Sequence, residues 1–177
     1  HQQFLGNTLT EIAGEKAGII KRDIPVIIGE TVPETRLVFK EKAKTVDTRI
    51  IFAEDAPIVL KSFVNGKNFR VYNTTIYGEI FGALTGDCQD KNTNTILTAI
   101  THLDCFKIPL QAISRGFAEV CETTGLMGRW QYIQKNPTVV CDTGHNMGGW
   151  KYLGERLTKI SQEQPLKIVF GMANDKD

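Results

Sequence analysis

Lys16 is the residue whose place in the sequence most invites chemistry. The segment TLTEIAGEKAG predicts a short helix in which Leu9, Ile12 and Ala13 form one apolar stripe, at about 100° per residue. Lys16 falls in the middle of that stripe, where burial would disfavour its charged ammonium. The alternative is a lysine whose stem lies along the apolar face while its ammonium reaches water.

A second group of polar residues follows a predicted buried strand at 137–141. Asp142 stands at the carboxyl end of that strand, and His145 and Asn146 stand at the entry to the next predicted helix. Ligands of open α/β sheets bind at this edge, and a helix N-terminus favours phosphate. With Arg129 upstream, Asp142 and His145 could hold a ribose and phosphates. Asn146 as a helix cap and Asp142 as a turn residue would explain the same pattern.

The cysteines indicate neither a zinc site nor a disulfide framework. Four of them are irregularly spaced without a CxxC pair, at Cys88, Cys105, Cys121 and Cys141. Reduced thiols in the cytoplasm are the simplest interpretation. Cys141 continues the apolar run of its strand, so we interpret it as a small hydrophobic residue rather than a nucleophile activated by His145.

Composition and charge are those of an ordinary globular protein. The 177 residues are 41% hydrophobic and 23% charged, and their net charge is +1. This charge gives no electrostatic argument for a nucleic-acid or membrane partner. No apolar run approaches the length of a transmembrane helix, and none resembles a signal peptide. We expect a cytoplasmic protein that binds neither nucleic acid nor membranes.

The elements that must position these residues alternate between helix and strand. The first helix has a capping box at Thr8 and Glu11, and Gly18 is placed to end it in a left-handed conformation. Residues 57–81 change to antiparallel character around the turn signal Asn65-Gly66. The other predicted elements of the first half are a strand at 25–29, a helix from Pro33 to about Val46, and a strand at 49–53.

The second half predicts a strand–helix–strand unit after a linker. Its elements are helices at about 91–104 and 110–122, a linker at 123–128, a strand at 137–141, a helix at 147–160 and a strand at 167–171. The last three imply parallel strands with a right-handed crossover. Since the chain starts at His1 within patterned sequence and stops directly after a strand, we expect a fragment of a longer protein.

Four motifs, in order along the chain, resemble the folylpolyglutamate synthase and dihydrofolate synthase family of the Mur ligase superfamily. Any one would be weak, but four in family order span the whole chain. They are HQQFLGNT with IAGEKAGI (residues 1–8 and 12–19), QDKN (89–92), GR followed by DTGHN (128–129 and 142–146), and FGMANDKD (170–177).

The resemblance implies an α/β fold with parts of two domains. Residues 1–124 would be the back part of a Mur-ligase-like central ATP-binding domain with a small antiparallel section. Residues 125–177 would be the front part of the C-terminal ligase domain, with the first βαβ unit of a Rossmann-like fold. The family P-loop lies upstream of the matched region, and no G-x-x-x-x-G-K-[ST] occurs in this chain.

The resemblance also assigns site residues. The lysine of the E-K-A-G-I motif is carbamylated in this family, so Lys16 is expected to carry an anionic carbamate that binds Mg²⁺ through oxygen. His1 matches a second Mg²⁺ ligand of the family. Positions that contact ATP in the family are matched by Asn92, Arg129, Asp142 and His145, and Lys16 and His145 are the expected catalytic residues.

The implied activity is that of an ATP-dependent amide ligase in folate biosynthesis and one-carbon metabolism. It would join L-glutamate to folate or dihydropteroate through an acyl phosphate. The longer protein would be a monomer, while the fragment would be inactive alone and prone to self-associate. The sequence leaves open which of the two acceptors is used. A cell-wall Mur ligase and a non-catalytic nucleotide-binding or interaction module remain alternatives.

Overall fold

The computed structural model describes residues 6–66, 69–145 and 147–171, and the chain divides into two compact units. The first unit is the described part of His1–Leu60 with Lys91–Ile108, and the second is the described part of Lys61–Asp90 with Pro109–Asp177. The predicted domain boundary between residues 124 and 125 stays a prediction.

The first unit contains a parallel strand pair beside two packed helices. Its elements are α1 (Leu9–Ala17), β1 (Val26–Ile28), α2 (Pro33–Thr45), β2 (Ile50–Phe52) and most of α3 (Gln89–Ile100). β1 pairs with β2 in parallel, with Val26 opposite Ile50. Pro33 stands at the start of α2, where its fixed φ suits the first helical turn. The strands predicted at 25–29 and 49–53 and the helix predicted from Pro33 are confirmed, with bounds shifted by one or two residues. The helix predicted at about 91–104 begins at Gln89 and ends earlier, at Ile100.

The capping box at the start of α1 is confirmed. Thr8 Oγ1 accepts a hydrogen bond from the backbone N–H of Glu11 at 3.1 Å. Glu11 Oε2 accepts from the backbone N–H groups of Thr8 at 3.1 Å and Asn7 at 2.7 Å. The prediction of a left-handed end at Gly18 is wrong, because its φ is −56°. The helix instead tightens, and Gly18 N–H donates to the carbonyl of Glu15 at 3.1 Å.

The buried face of α1 does not include Lys16, which corrects the prediction from the apolar stripe. Ala13, Ala17 and Ile20 are buried and cluster with Phe39 of α2, while Lys16 is exposed. The small alanine side chains allow close packing against α2, so they mark the centre of the buried face. Lys16 lies about 60° around the helix from Ala13. Its ammonium therefore reaches water, as in the alternative interpretation.

The second unit begins with a three-stranded sheet and two short helices. Its elements up to residue 124 are β3 (Val59–Asn65), β4 (Phe69–Thr74), β5 (Glu79–Gly82), α4 (Leu110–Ala118) and α5 (Val120–Thr124). The strand order is β3-β4-β5, so the two strands predicted on either side of Asn65-Gly66 are neighbours. β5, which the sequence did not predict, pairs with β4 in antiparallel orientation. The single helix predicted at 110–122 divides at Glu119, which ends α4.

The rest of the second unit is a hairpin followed by a helix. β6 (Gln131–Lys135) pairs antiparallel with β7 (Thr138–Cys141), and α6 (Met147–Glu163) follows. Sequence analysis missed β6, because its largely polar residues lack an apolar run. Residues 167–171 form no strand in the described chain, so the second strand of the predicted βαβ unit is not found there. A strand needs a hydrogen-bonded neighbour, and Val169 is instead fully exposed.

The predicted mixture of helix and strand is confirmed, but small antiparallel sheets make up more of the strand content than expected.

No helix in the described ranges has both the length and the apolar character needed to cross a bilayer. All four cysteines are free thiols.

The capping box predicts a local loss of stability when Thr8 is replaced. Thr8→Ala removes the acceptor for the Glu11 N–H and should lower the free energy of unfolding by about 1 kcal/mol. Thr10→Ala is the matched control, because Thr10 lies within α1 and is exposed. Urea unfolding followed by circular dichroism measures both variants. Equal effects at the two positions would contradict the role of the cap.

The stabilisation that Glu11 contributes to the capping box is predicted to be lost at acidic pH. The backbone N–H groups of Asn7 and then Thr8 hold the pKa of Glu11 below its ordinary value of 4.5. Because the folded pKa is depressed, the stabilisation is complete above about pH 4.5 and is lost as pH falls through the folded pKa. Glu11→Gln keeps a hydrogen-bond acceptor but cannot titrate. The difference in urea midpoint between wild type and Glu11→Gln should therefore shrink below pH 4.5; a constant difference from pH ~7 to ~3 would refute it.

Candidate functional site

The structure places the predicted site residues in three groups. Arg129, Asp142 and His145 lie in the second unit, and Lys16 and Asn92 lie in the first. His1, the predicted metal ligand, lies outside the described residues, as do Asn146 and the end of the fourth motif.

Asp142 joins two loops at the carboxyl end of β7. Its Oδ2 accepts from the backbone N–H of Trp130 at 2.7 Å, and its Oδ1 accepts from the N–H of Gly144 at 2.7 Å. A side chain at Gly144 would bring Cβ to 3.1 Å from Asp142 Oδ1, so the carboxylate would have to shift slightly to admit it. The turn role of Asp142 is therefore present, and each carboxylate oxygen has a further lone pair for a ligand.

Gly128 and Thr143 bring the same two loops together from the other side. The N–H and the hydroxyl of Thr143 both donate to the Gly128 carbonyl, at 2.9 and 3.0 Å. Gly128 has a φ of +70°, and a Cβ there would lie 2.4 Å from Thr143 Cγ2. Only glycine fits this position, because it must both adopt a left-handed conformation and allow the close approach.

Arg129 projects from this junction with an exposed side chain. Its guanidinium donates one hydrogen bond to Thr143 Oγ1 at 3.2 Å. A guanidinium has five N–H donors in a planar fork that suits phosphate or carboxylate. Arg129 and the acceptor oxygens of Asp142 thus stand on the two paired loops, with complementary charge.

His145 is oriented by the same turn. Its ring Nδ1 lies 3.0 Å from the carbonyl oxygen of Thr143. A carbonyl can only accept, so this contact requires the proton on Nδ1 and makes Nε2 the basic nitrogen of the neutral ring. The helix α6 begins two residues later, at Met147.

Trp130 is held in a conformation that tryptophan rarely adopts. Its φ is +52°, which costs about 1–3 kcal/mol for a residue other than glycine. The side chain is only 6% exposed, and the guanidinium carbon of Arg156 lies 4.0 Å from the centre of its ring. The burial of Trp130 makes it a packing residue of this turn. Sequence analysis gave Arg156 no role, because the spacing of residues along the chain does not link α6 to this turn.

Arg156 also contacts the segment before the QDKN motif. It donates to the carbonyl of Thr85 at 2.9 Å. Burial lowers the pKa of Arg156, while Asp87 and a hydrogen bond with Tyr132 raise it. The side chain is half-buried, and these neighbouring groups offset only part of the effect of burial on its pKa.

A second arginine fixes the same segment. Arg70 of β4 is 5% exposed and donates to Thr85 O at 3.2 Å, to Asp87 at 2.7 Å and to Asp90 at 2.8 Å. Two carboxylates thus balance the charge of this buried guanidinium, while its Nε has no hydrogen-bond partner among the described residues. The Thr85 carbonyl thus accepts from two arginines, Arg70 and Arg156.

Cys88 lies within electrostatic reach of the strand-edge residues. Burial raises the pKa of its thiol, Asp142 raises it further, and Arg129 lowers it. These influences place the segment at 85–90 near Arg129 and Asp142 within the second unit. The raised pKa favours the thiol over the reactive thiolate.

The first unit carries Asn92 and Lys16 on exposed faces of α3 and α1. The polar side chain that sequence analysis missed here is Asn94. It donates to the carbonyl of Ala53 at 2.8 Å and accepts from the N–H groups of Ile58 at 2.7 Å and Val59 at 3.2 Å. Asn94 therefore anchors the chain that leaves β2, a structural role.

The residues that the structure describes do not form a magnesium site by themselves. Within them, no group of three histidine, cysteine, aspartate or glutamate side chains could hold a metal ion. An unmodified lysine ammonium is a cation with no lone pair to offer, so Lys16 fits a metal only as a carbamate.

Comparison with known proteins finds relatives along the whole chain. The chain is 29% identical over 182 residues to the dihydrofolate synthase/folylpolyglutamate synthase of Bacillus subtilis, covering 99% of this chain and 41% of the relative. It is 33% identical over 183 residues to the folylpolyglutamate synthase of Lacticaseibacillus casei, covering 100% of this chain and 42% of the relative. A solved FPGS–AMPPCP–folate complex matches with a TM-score of 0.74 and 30% identity, covering 95% of this chain and 41% of that one. No family model matches the chain.

These matches confirm the resemblance and the mixed α/β fold. The chain spans about two fifths of the length of these curated relatives. The roles of Lys16, Asn92, Arg129, Asp142 and His145 stay predictions.

The geometry of Asp142 predicts a specific weakening of the strand-edge turn. Asp142→Asn leaves one acceptor oxygen where two N–H groups donate, so one of the two amides loses its partner. Amide exchange at Trp130 or Gly144 should accelerate about 10-fold, equivalent to about 1.4 kcal/mol. Asp104→Asn, at an exposed position in the other unit, is the control. Unchanged exchange at both amides in Asp142→Asn would show that the carboxylate does not join the loops.

Proposed function

We propose, because the chain belongs to the folylpolyglutamate synthase/dihydrofolate synthase family, that it forms part of a ligase that uses ATP to join L-glutamate to folate or dihydropteroate. The observation that carries the proposal is the grouping of Arg129, Asp142 and His145 on paired loops at the carboxyl end of β7. A guanidinium, a carboxylate and an imidazole on these paired loops offer both donors and acceptors to a polar ligand.

The chemistry of these side chains fits a nucleotide. ATP supplies the phosphoryl group that activates a substrate carboxylate as an acyl phosphate, which the amine of glutamate then attacks. Arg129 would contact phosphate oxygens, since its fork offers paired N–H donors. The remaining lone pairs of Asp142 would accept from the hydroxyls of a ribose. His145, oriented by the contact of its Nδ1 with the Thr143 carbonyl, would lie beside the same ligand.

Lys16 and His1 would serve a second function at a metal ion. A carbamate on Lys16 would supply anionic oxygen to Mg²⁺, which prefers such ligands. Support for this assignment comes from the E-K-A-G-I motif and from the exposure of Lys16, which leaves its amine accessible to CO2. His1 and Asn92 are assigned by their motif positions alone, Asn92 to the nucleotide.

The cellular setting follows from the same proposal. We place the protein in the cytoplasm, where its four free thiols stay reduced. Residues 1–124 would belong to the ATP-binding central domain and residues 125–177 to the C-terminal ligase domain. The longer protein would act as a monomer on small-molecule substrates. The relatives act in folate metabolism by name, which favours this branch over a cell-wall Mur ligase.

The test of the proposal is a ligase assay on the whole gene product that contains these residues. Glutamate-dependent ADP release is measured with dihydropteroate and with tetrahydrofolate as acceptors. Activity with either acceptor supports the proposal, and the ratio assigns the protein to one or both reactions. Nucleotide binding without any ligation would favour a non-catalytic module instead.

The proposed carbamate on Lys16 predicts how substitutions at this position change the activity in the ligase assay. Lys16→Ala should abolish activity, because alanine can neither carry a carbamate nor bind a cation. Lys16→Glu should restore part of it, since a carboxylate replaces the charge of the carbamate. Lys21→Ala, at an exposed lysine just beyond α1, is the control and should stay near wild type. Activity of Lys16→Ala close to wild type would remove the carbamate from the mechanism.

The 177-residue chain by itself should show no ligase turnover. It contains no G-x-x-x-x-G-K-[ST] sequence, the loop whose backbone N–H groups and lysine hold the β- and γ-phosphates. Arg129 and His145 cannot replace that cradle, so Mg-ATP should bind weakly in calorimetry. We also expect self-association, measured by sedimentation, because exposed apolar residues such as Val169 lack a partner in the described chain. Turnover above background would place the phosphate site within these residues.

A further inference from the structure

We propose that Arg156 is a positioning residue that holds the turn Gly128–Trp130 in the conformation that presents Arg129 and Asp142. The link to nucleotide binding rests on the proposed function. The effect on the conformation of the turn does not.

The turn contains two left-handed residues on either side of Arg129. Gly128 has a φ of +70° and Trp130 a φ of +52°. Glycine adopts this conformation freely, whereas a bulky residue is held there only by its surroundings. The direction in which Arg129 leaves the backbone therefore depends on what holds Trp130.

Two contacts hold Trp130. Its backbone N–H donates to Asp142 Oδ2 at 2.7 Å. The guanidinium of Arg156 lies over its indole ring, with 4.0 Å between the guanidinium carbon and the ring centre. A planar guanidinium covers an aromatic face in a way that an ammonium cannot. The stack and the hydrogen bond therefore act on the same residue from its side chain and its backbone.

Arg156 is itself fixed, which allows it to act as a support. It extends from α6 and donates to the carbonyl of Thr85 at 2.9 Å. That carbonyl also accepts from the buried Arg70. Asp87 and Tyr132 provide further compensation for the charge of Arg156. Arg156 thus bridges the segment before the QDKN motif and the turn that carries Arg129.

Loss of the stack has a defined consequence. Without it, Trp130 relaxes toward negative φ, its N–H leaves Asp142, and the side chain of Arg129 turns away from Thr143. A lysine at position 156 keeps a positive charge and can still reach a carbonyl, but it cannot provide the planar stack. Arg156→Lys therefore separates the stack from the charge.

The conformational test uses the 177-residue chain with Trp150→Phe, which leaves Trp130 as the only tryptophan. In Arg156→Lys, the Trp130 amide should exchange about 10-fold faster, and acrylamide should quench its fluorescence about 2-fold more strongly. Arg115→Lys is the matched control, because Arg115 is an exposed arginine paired with Glu119. Unchanged exchange and quenching in Arg156→Lys, with an unchanged unfolding midpoint, would overturn the proposal.

A second pair of variants, in which Trp130 is replaced, distinguishes loss of the Arg156–Trp130 stack from a general loss of stability. Trp130→Leu removes the aromatic face, so adding Arg156→Lys to it should not further change amide exchange at position 130. An equal acceleration in both backgrounds would overturn the role of the stack, because Arg156 would then act through general stability alone.

The second part of the test measures nucleotide binding, with the whole gene product and AMPPCP as the probe. Arg156→Lys should weaken AMPPCP binding about 10-fold and raise the KM for ATP more than it lowers kcat. Faster exchange with unchanged affinity would refute the presentation of Arg129. If the wild-type protein does not bind AMPPCP, the proposed function fails, while amide exchange still decides the conformational role of Arg156.

Discussion

The carboxylate of Asp142 is the constraint on which the strand-edge region depends. It accepts the N–H of Trp130 on one side and the N–H of Gly144 on the other, and so ties the loop before β6 to the loop after β7. The pairing of Thr143 with the Gly128 carbonyl runs between the same loops. The orientation of Arg129 and of His145 follows from these bonds, because both residues lie on the joined segments.

Compensated arginines extend this constraint to the neighbouring segment at 85–90. Arg70 and Arg156 approach the same Thr85 carbonyl, and Asp87 and Asp90 balance Arg70. Two guanidiniums around one carbonyl would repel each other without these carboxylates. Asp87 and Asp90 balance the charge of Arg70, so the arrangement fixes the segment that leads into Gln89 and α3. The segment beside the proposed nucleotide site is thus held by charges outside the proposed ligand contacts.

The comparison of sequence and structure is clearest at Lys16. The spacing of Thr8 and Glu11 correctly predicted the capping box of α1, but the apolar stripe placed Lys16 on the buried face. The spacing of apolar residues predicts the helix, whereas which of its faces is buried depends on the side chains that allow close packing. Ala13 and Ala17 do so against Phe39, and Lys16 is left exposed. The exposure leaves the side chain accessible to CO2, but the burial that the apolar stripe predicted is absent.

By itself, the sequence determined the family, the start of α1 at Thr8, the strand pair β1–β2 and the position of Asp142 at the end of β7. These features depend on local residue types and spacing. Only the tertiary structure decided that β7 pairs with β6, that Lys16 is exposed, and that Arg156 lies over Trp130. Each of those depends on partners distant in the chain, and hydrogen bonds or stacking between distant residues leave no periodic trace in a sequence.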